Sequence, residues 1–300
     1  EKRDLGFYIF YMGINIGGFA APILCGWVGE TYNWHYGFGL AAIGMFIGQI
    51  TYFYGQKYLI GVGDFIGKKS HPDNDYINRK LTPIEKDRIK VLLISFLLII
   101  VFWGAFEQAG GLMNLYAKQK TDRMLMGIEL PASWFQSLNS FFIITLAVFI
   151  GGFWMRWKSK GNEASSLYKI AIGILIMGMG FMFMRFAALD YEVAGKSAMY
   201  WLVLAYLFHT IGELCASPIS LSFITKLAPV KYAASIMGLY WAATGFGNKI
   251  AAGVGGFAET AGEKQVFTGI FIFCLIISLL VILLLKPLKR LTHGAEDIVK

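Results

Sequence analysis

Charge is scarce in this sequence. Only 15% of its 300 residues are Asp, Glu, Lys or Arg, against about 25% in an ordinary soluble domain. That is too little to coat the surface of a soluble chain of this length. Cysteine is scarcer still: Cys25, Cys215 and Cys274 all stand in apolar segments, with no CxxC and no Cys/His cluster. A disulfide frame and a zinc site are therefore not expected, and the three read as small core residues. Catalytic constellations are also missing. The sequence holds no GxSxG, no Walker loop, no paired-Asp motif and no nucleophile beside a base, so neither an enzyme nor a resident cofactor is expected.

What is present is apolar. Hydrophobic residues make up 56% of the chain and the mean hydropathy is +0.56. They come in blocks of about 20, the length a ~30 Å hydrocarbon core requires, rather than as one stripe of an amphipathic helix. Eight candidate spans result, at 5–28, 37–59, 90–117, 133–157, 167–189, 198–227, 233–258 and 266–285. The expected fold is all-α and integral to the membrane. Pro22 and Pro218 fall inside spans, where neighbouring helices can satisfy the carbonyls that proline frees. Gly247, Ala251 and Gly255 form a small-xxx-small row that would let helices approach closely.

The net charge of +8 raises the question of a polyanionic partner, and its distribution answers it. With the chain start on the cytoplasmic side, alternate segments hold nineteen basic residues inside and five outside, while Lys169, Arg185 and Lys249 lie within spans. This is the positive-inside pattern, and no nucleic acid is needed to explain it. Trp34, Tyr36, Trp134 and Trp157 stand near span ends, where amphipathic rings favour the headgroup region. The one sizeable polar segment, 61–90, opens with a turn-rich stretch around His71-Pro72-Asp73. It then offers Thr82, Pro83 and Glu85 in capping-box order for a short helix.

Polar residues at membrane depth carry the functional signal, because ionisable groups there cost several kcal/mol and normally face a bundle interior or a cavity. Glu107 lies about 17 residues into its span and Glu213 near the middle of a long one. Each reads either as a structural ion pair or hydrogen-bonded carboxyl, or as a proton or substrate site. His209 and Glu213, four residues apart, share a helix face; metal ligation lacks a third ligand, and a core histidine is the plainer reading. Asn15 and Asn139 are buried amides that either bridge helices or line a polar cavity. Lys249 lies mid-span and either snorkels or pairs with one of the carboxylates. Met177, Met179, Met182 and Met184 read as adaptable packing.

Several stretches resemble one family in its own order: Phe10-Tyr11-x-x-Ile14-Asn15-x-Gly17, Trp34 to Gly39, Phe106-Glu107-Gln108-Ala109-Gly110, Trp134 to Asn139, Glu213 with Ser217-Pro218, Thr225 to Pro229, and Gly247-Asn248-Lys249. Together they resemble the proton-dependent oligopeptide transporters of the major facilitator superfamily, over nearly the whole chain. The resemblance implies a major facilitator-like helical bundle, with the eight candidate spans as the family's fifth to twelfth. It also implies proton-coupled symport of di- and tripeptides by alternating access across a bacterial cytoplasmic membrane, as a monomer, with the proton gradient as energy source. By the same resemblance Glu213 receives the peptide amino terminus, and Glu107 belongs to the proton and gating network. Asn15 and Asn139 hold the peptide backbone, while Tyr240 and Trp241 shape a side-chain pocket. Relatives on this scaffold move other solutes, so nitrate, amino-acid conjugates and drugs stand as the alternative cargo, and a non-transporting fragment stands as the other alternative.

The implied organisation is 1–60 as the last two helices of an N-terminal bundle, 61–89 as the inter-bundle loop, 90–290 as a C-terminal six-helix bundle and 291–300 as a tail. The chain opens at Glu1-Lys2-Arg3-Asp4 directly before an apolar span, which reads as the middle of a longer protein. The family's first four helices, with their ExxER motif and peptide-binding lysine, have no counterpart here. Nor do the two extra helices that many bacterial members carry after the sixth span. Ser140 stands where the family often has proline, which leaves the bend of that helix open.

Overall fold

The structure is a computed structural model that describes residues 2–61 and 79–296, with side chains from Met12 onward. The turn-rich stretch around His71 and the last residues of the tail lie outside this description. Two helices come first, α1 (Lys2–Thr31) and α2 (Trp34–Gly55), the second capped by Asn33, whose side chain accepts from the His35 amide.

The capping box expected at Thr82 is present. Its hydroxyl accepts from the Glu85 amide at 3.2 Å, and Glu85 returns a carboxylate to the Thr82 amide at 2.8 Å. The helix it starts is not a separate short one. α3 (Pro83–Phe106) runs directly into the membrane span, so the inter-bundle connection ends sooner than position 89.

Where the sequence reads as one span over 90–117, the chain breaks. A 3₁₀ turn at Glu107–Ala109 and the pair Gly110–Gly111 separate α3 from α4 (Leu112–Lys120). Two glycines lower helix propensity here by about 1 kcal/mol each. The freed backbone is satisfied from the side: the Tyr206 hydroxyl donates to the Ala109 carbonyl at 3.0 Å, and Gln108 donates to the carbonyls of Gly104 and Ala251. A broken helix inside lipid is tolerated only with such partners.

Six more helices complete the described chain: α5 (Ser137–Ser159), α6 (Ser166–Ala194), α7 (Tyr200–Leu227), α8 (Ala233–Ala261), α9 (Glu263–Leu283) and the short α10 (Leu285–Leu291). Among the described residues seven helical segments are long and apolar enough to cross a membrane, with α3 to α4 taken as one. α8, interrupted by Asn248 and Lys249, is the long helix outside that set. Pro22 and Pro218 both lie inside helices, as expected. α5 is continuous past Ser140.

Glycine sets the helix crossings. A Cβ on Gly173 of α6 would lie 2.7 Å from the Gly212 carbonyl of α7, and one on Gly212 would lie 2.6 Å from the Gly173 carbonyl. The two backbones therefore touch, and residue 213 follows at once. Gly247 packs in the same way on Trp103 and Gly104 of α3, and Ala251, one turn on, is buried. Gly255 has open space beside it, so the expected small-residue row works at two of its three positions. Met177 and Met184 are fully buried in this core, whereas Met179 is exposed.

α1 meets the second set of helices along one stripe. Gly18 faces Ser140, the Ser137 hydroxyl donates to the Phe19 carbonyl at 2.8 Å, and the Trp134 indole donates to the Ile23 carbonyl at 3.1 Å. Glu30 ends the stripe by accepting from the amides of Ala132 and Ser133 at 3.0 and 2.8 Å. The spacing of Phe19, Ile23, Gly26 and Glu30 keeps these residues on one helix face.

Candidate solute and proton site

Glu213 sits at the middle of α7, held against α6 by the Gly173–Gly212 contact and partly buried. Across from it on α5, the Asn139 amide nitrogen donates to Glu213 Oε2 at 2.8 Å and to Thr210 Oγ1 at 3.2 Å. Thr210 in turn donates to the Tyr206 carbonyl at 2.8 Å. One amide thus ties two groups a turn apart on α7 to α5. Four or more such lone pairs exist on a carboxylate, and Asn139 fills only part of that capacity. The remaining oxygen is free to take a cationic or protonated partner.

Glu107 lies at the break between α3 and α4, above a wall formed by Phe102, Trp103 and Phe106, whose rings pack 5.4–5.6 Å apart. Its side chain makes no hydrogen bond among the described residues, and the ring of the preceding Phe106 lies 6.4 Å from that of His209, one turn before Glu213. The two expected carboxylates thus flank one region of the bundle, with Asn139 fixing Glu213 and no hydrogen bond holding Glu107.

The other expected site residues divide. Asn15 is 6% exposed on α1, one turn before Gly18, and so lies in the seam that faces α5 at Ser140. Tyr240 is buried in the core while its neighbour Trp241 is 63% exposed, their rings meeting edge-on at 5.2 Å. Adjacent residues on a helix point about 100° apart, so only one of this pair can face a given side. Lys249 makes no ion pair with either carboxylate. Gly247 is the α8 residue that meets α3, and a side chain two positions on points roughly 200° further round the helix, away from α3. Its side chain is exposed.

His209 lies one turn before Glu213 and is 1% exposed, with its ring 4.6 Å from Phe181 and against Gly180. Both ring nitrogens lack a hydrogen-bond partner. Three contributors escaped the sequence reading. Thr210 and Tyr206 look like ordinary helix residues, and only their spacing of four and the proximity to Glu213 hint at them. Gln108 adjoins Glu107, but its reach to Ala251 depends on the α3–α8 crossing.

A bundle of membrane-length helices enclosing two carboxylates and amides drawn from separate helices defines a multi-pass transporter architecture. The profile of the POT family matches residues 1–70 and 74–269 of this chain. The chain belongs to that family. Among its relatives, the peptide transporter YePEPT of Yersinia enterocolitica is 34% identical, the alignment covering 98% of this chain and 70% of the relative. Its 361 aligned positions exceed the 300 residues present, so the alignment opens gaps in this chain. The transporter YclF of Bacillus subtilis is 31% identical over 98% of this chain and 69% of its own length. A di-/tripeptide transporter of Lactococcus lactis is 26% identical over 97% and 70%.

Solved structures agree. A peptide transporter POT in complex with sulfate superposes with a TM-score of 0.83 at 29% identity, covering 97% of this chain and 69% of that one. A POT family transporter in complex with 5-aminolevulinic acid gives 0.80 at 25% identity, over 95% and 69%. The fold is therefore the major facilitator-like bundle of POT transporters, and these relatives are transporters, not enzymes.

Proposed function

We propose that this chain forms the solute-binding part of a proton-coupled symporter of di- and tripeptides. The single observation that carries the reading is the Asn139–Glu213 pair at 2.8 Å inside the bundle, in a chain whose relatives include peptide transporters. An ionised Glu213 offers the oxygen not held by Asn139 to a peptide's terminal ammonium. A charge-assisted contact of that kind is about twice as strong as a neutral one. The incoming amine displaces the proton of Glu213 onto the Glu107 carboxylate, so proton and peptide are held at two neighbouring groups and cross together. Glu107, held by no hydrogen bond among the described residues, exchanges protons with this centre. Asn15 and Asn139 supply donors and acceptors for the peptide amide, while Tyr240 and Trp241 bound the side-chain pocket.

The closed contact between α1 and the start of α5, anchored by Glu30, leaves the opposite end of the bundle as the route of release. With the basic segments in the cytoplasm that opposite end faces inward, and the membrane is a bacterial cytoplasmic one, as the sources of the relatives suggest. A second reading keeps the site and changes the cargo. A POT family structure that holds 5-aminolevulinic acid, which carries an amine and a carboxylate without a peptide bond, favours it.

The test is uptake of a labelled dipeptide by proteoliposomes containing the complete reading frame that encodes this chain, under an inward proton gradient. Unlabelled di- and tripeptides should compete, and amino acids, nitrate and 5-aminolevulinic acid should not. Competition by 5-aminolevulinic acid alone would establish the second reading.

A further inference from the structure

At the end of the bundle remote from Glu30, a cavity of about 320 Å³ opens between the end of α5, the start of α6, the end of α7 and α10. Four lysines line it, Lys158, Lys169, Lys226 and Lys289, with two acids, Glu163 and Glu296. The acids are already engaged. Glu163 pairs with Lys289 at 2.9 Å and accepts the Ser165 amide at 2.8 Å. Glu296 accepts the Ser166 amide at 2.8 Å and the Ser166 hydroxyl as well.

That leaves Lys158, Lys169 and Lys226 without a salt bridge among the described residues, with only the Glu296 carboxylate acting on Lys169 from within the cavity. They are not scattered. Lys158 and Lys226 stand close enough for their charges to act on Lys169. Lys169 is half-buried and fixed over the Trp154 ring at 5.3 Å. The Ser165 hydroxyl, also lining the cavity, is buried beside Glu163. Three lysines outside any salt bridge thus share one cavity with a single carboxylate, Glu296, to offset them. The transport site lies in the middle of the bundle and uses none of these residues.

We propose that this cavity binds a phosphate-type anion, supplied either by the headgroup of an anionic lipid or by free phosphate. Basic pockets between helices at the cytoplasmic surface suit such headgroups. The lysine Nζ groups provide point charges and Ser165 Oγ a directed donor. Glu296, whose carboxylate sits in the same cavity, opposes the ligand electrostatically, so the tail tunes affinity.

Native mass spectrometry of the full chain released from detergent with phosphatidylglycerol or phosphatidylcholine tests the lipid source. Calorimetric titration with inorganic phosphate tests the free anion. The expected result is one retained phosphatidylglycerol with phosphatidylcholine excluded. Lys158→Ala and Lys226→Ala should each weaken retention about fivefold, and Glu296→Gln should strengthen it by a similar factor. Binding of inorganic phosphate with the same lysine dependence, and no lipid preference, would assign the free anion as the ligand. The proposal is overturned if neither probe binds, or if binding is unchanged in the Lys158→Ala/Lys226→Ala double variant. Both lysines are exposed, so their removal leaves the fold intact, and a thermal melt confirms it.

Discussion

Replacing Glu213 by Gln removes a charge and keeps a shape. The glutamine carbonyl can still accept from Asn139, which lies 2.8 Å from the carboxylate it replaces, so α5 and α7 should stay joined. What is lost is the charged partner of a peptide amine. Deleting one member of a buried, hydrogen-bonded charge pair costs about 2–5 kcal/mol, or roughly 30- to 5,000-fold in affinity. Asn139→Ala acts differently. It leaves the charge and removes one interhelical donor, a loss in stability averaging about 0.6 and at most about 1.7 kcal/mol in membrane proteins. Equilibrium binding of a labelled dipeptide at neutral pH, on the purified complete transporter, should therefore fall far more for Glu213→Gln than for Asn139→Ala. Thermal melts should rank the two the other way. Dipeptide affinity within twofold of the parent in Glu213→Gln would refute the amine-ligand role. Equal losses in the two variants would show that Asn139 holds the substrate more than it holds Glu213.

Other outcomes follow from the same geometry. Gly173→Val places a side chain where a Cβ already stands 2.7 Å from the Gly212 carbonyl, so α6 and α7 must part; a loss of about 1–3 kcal/mol in stability is expected, read by thermal unfolding in detergent. Glu30→Ala removes the acceptor of two amides at 3.0 and 2.8 Å. The α1–α5 contact should then open, and spin labels at the exposed positions Tyr32 and Met126 should show a new, longer distance. Burial raises the Glu163 carboxyl, but hydrogen bonds from Lys289 and Ser165 outweigh it and hold the group below the usual carboxylate range. Its contribution is thus present at neutral pH and lost as the pH falls through that depressed value. Glu163→Gln should lower the melting temperature slightly at pH 7, by under about 1 kcal/mol in stability, with the difference vanishing in acid.

How much of this was legible in the sequence depended on the range of each interaction. The Thr82–Glu85 capping box is local, three residues long, and was readable in full. Membrane spans follow from composition over about 20 residues and were also readable, apart from the break after Phe106. There the apolar run continues through Glu107 to Ala117, and the break depends on Tyr206 arriving from another helix to satisfy the Ala109 carbonyl, and on the Ala251 carbonyl accepting from the Gln108 side chain. The prominence of Glu213 and Asn139 was visible as polarity inside lipid. Their contact was not, because it requires α5 and α7 to pack side by side, which no local pattern shows. Lys249 shows the opposite failure. Its mid-span position left snorkelling and a carboxylate partner both open, and the angle from Gly247 turns the side chain outward. Glu30 was overlooked because an acid at a span end resembles any interfacial acid until the amides of Ala132 and Ser133 are seen to point at it.

The central claim is that the Glu213 proton passes to Glu107 as the peptide amine takes its place, so that proton and peptide enter together. Proteoliposomes of the complete transporter loaded with a pH-sensitive dye test it directly, by adding dipeptide outside without any imposed gradient. The account predicts acidification of the lumen that tracks dipeptide entry and disappears in Glu213→Gln. Dipeptide entry with no proton movement, or proton-coupled entry undiminished in that variant, would contradict it.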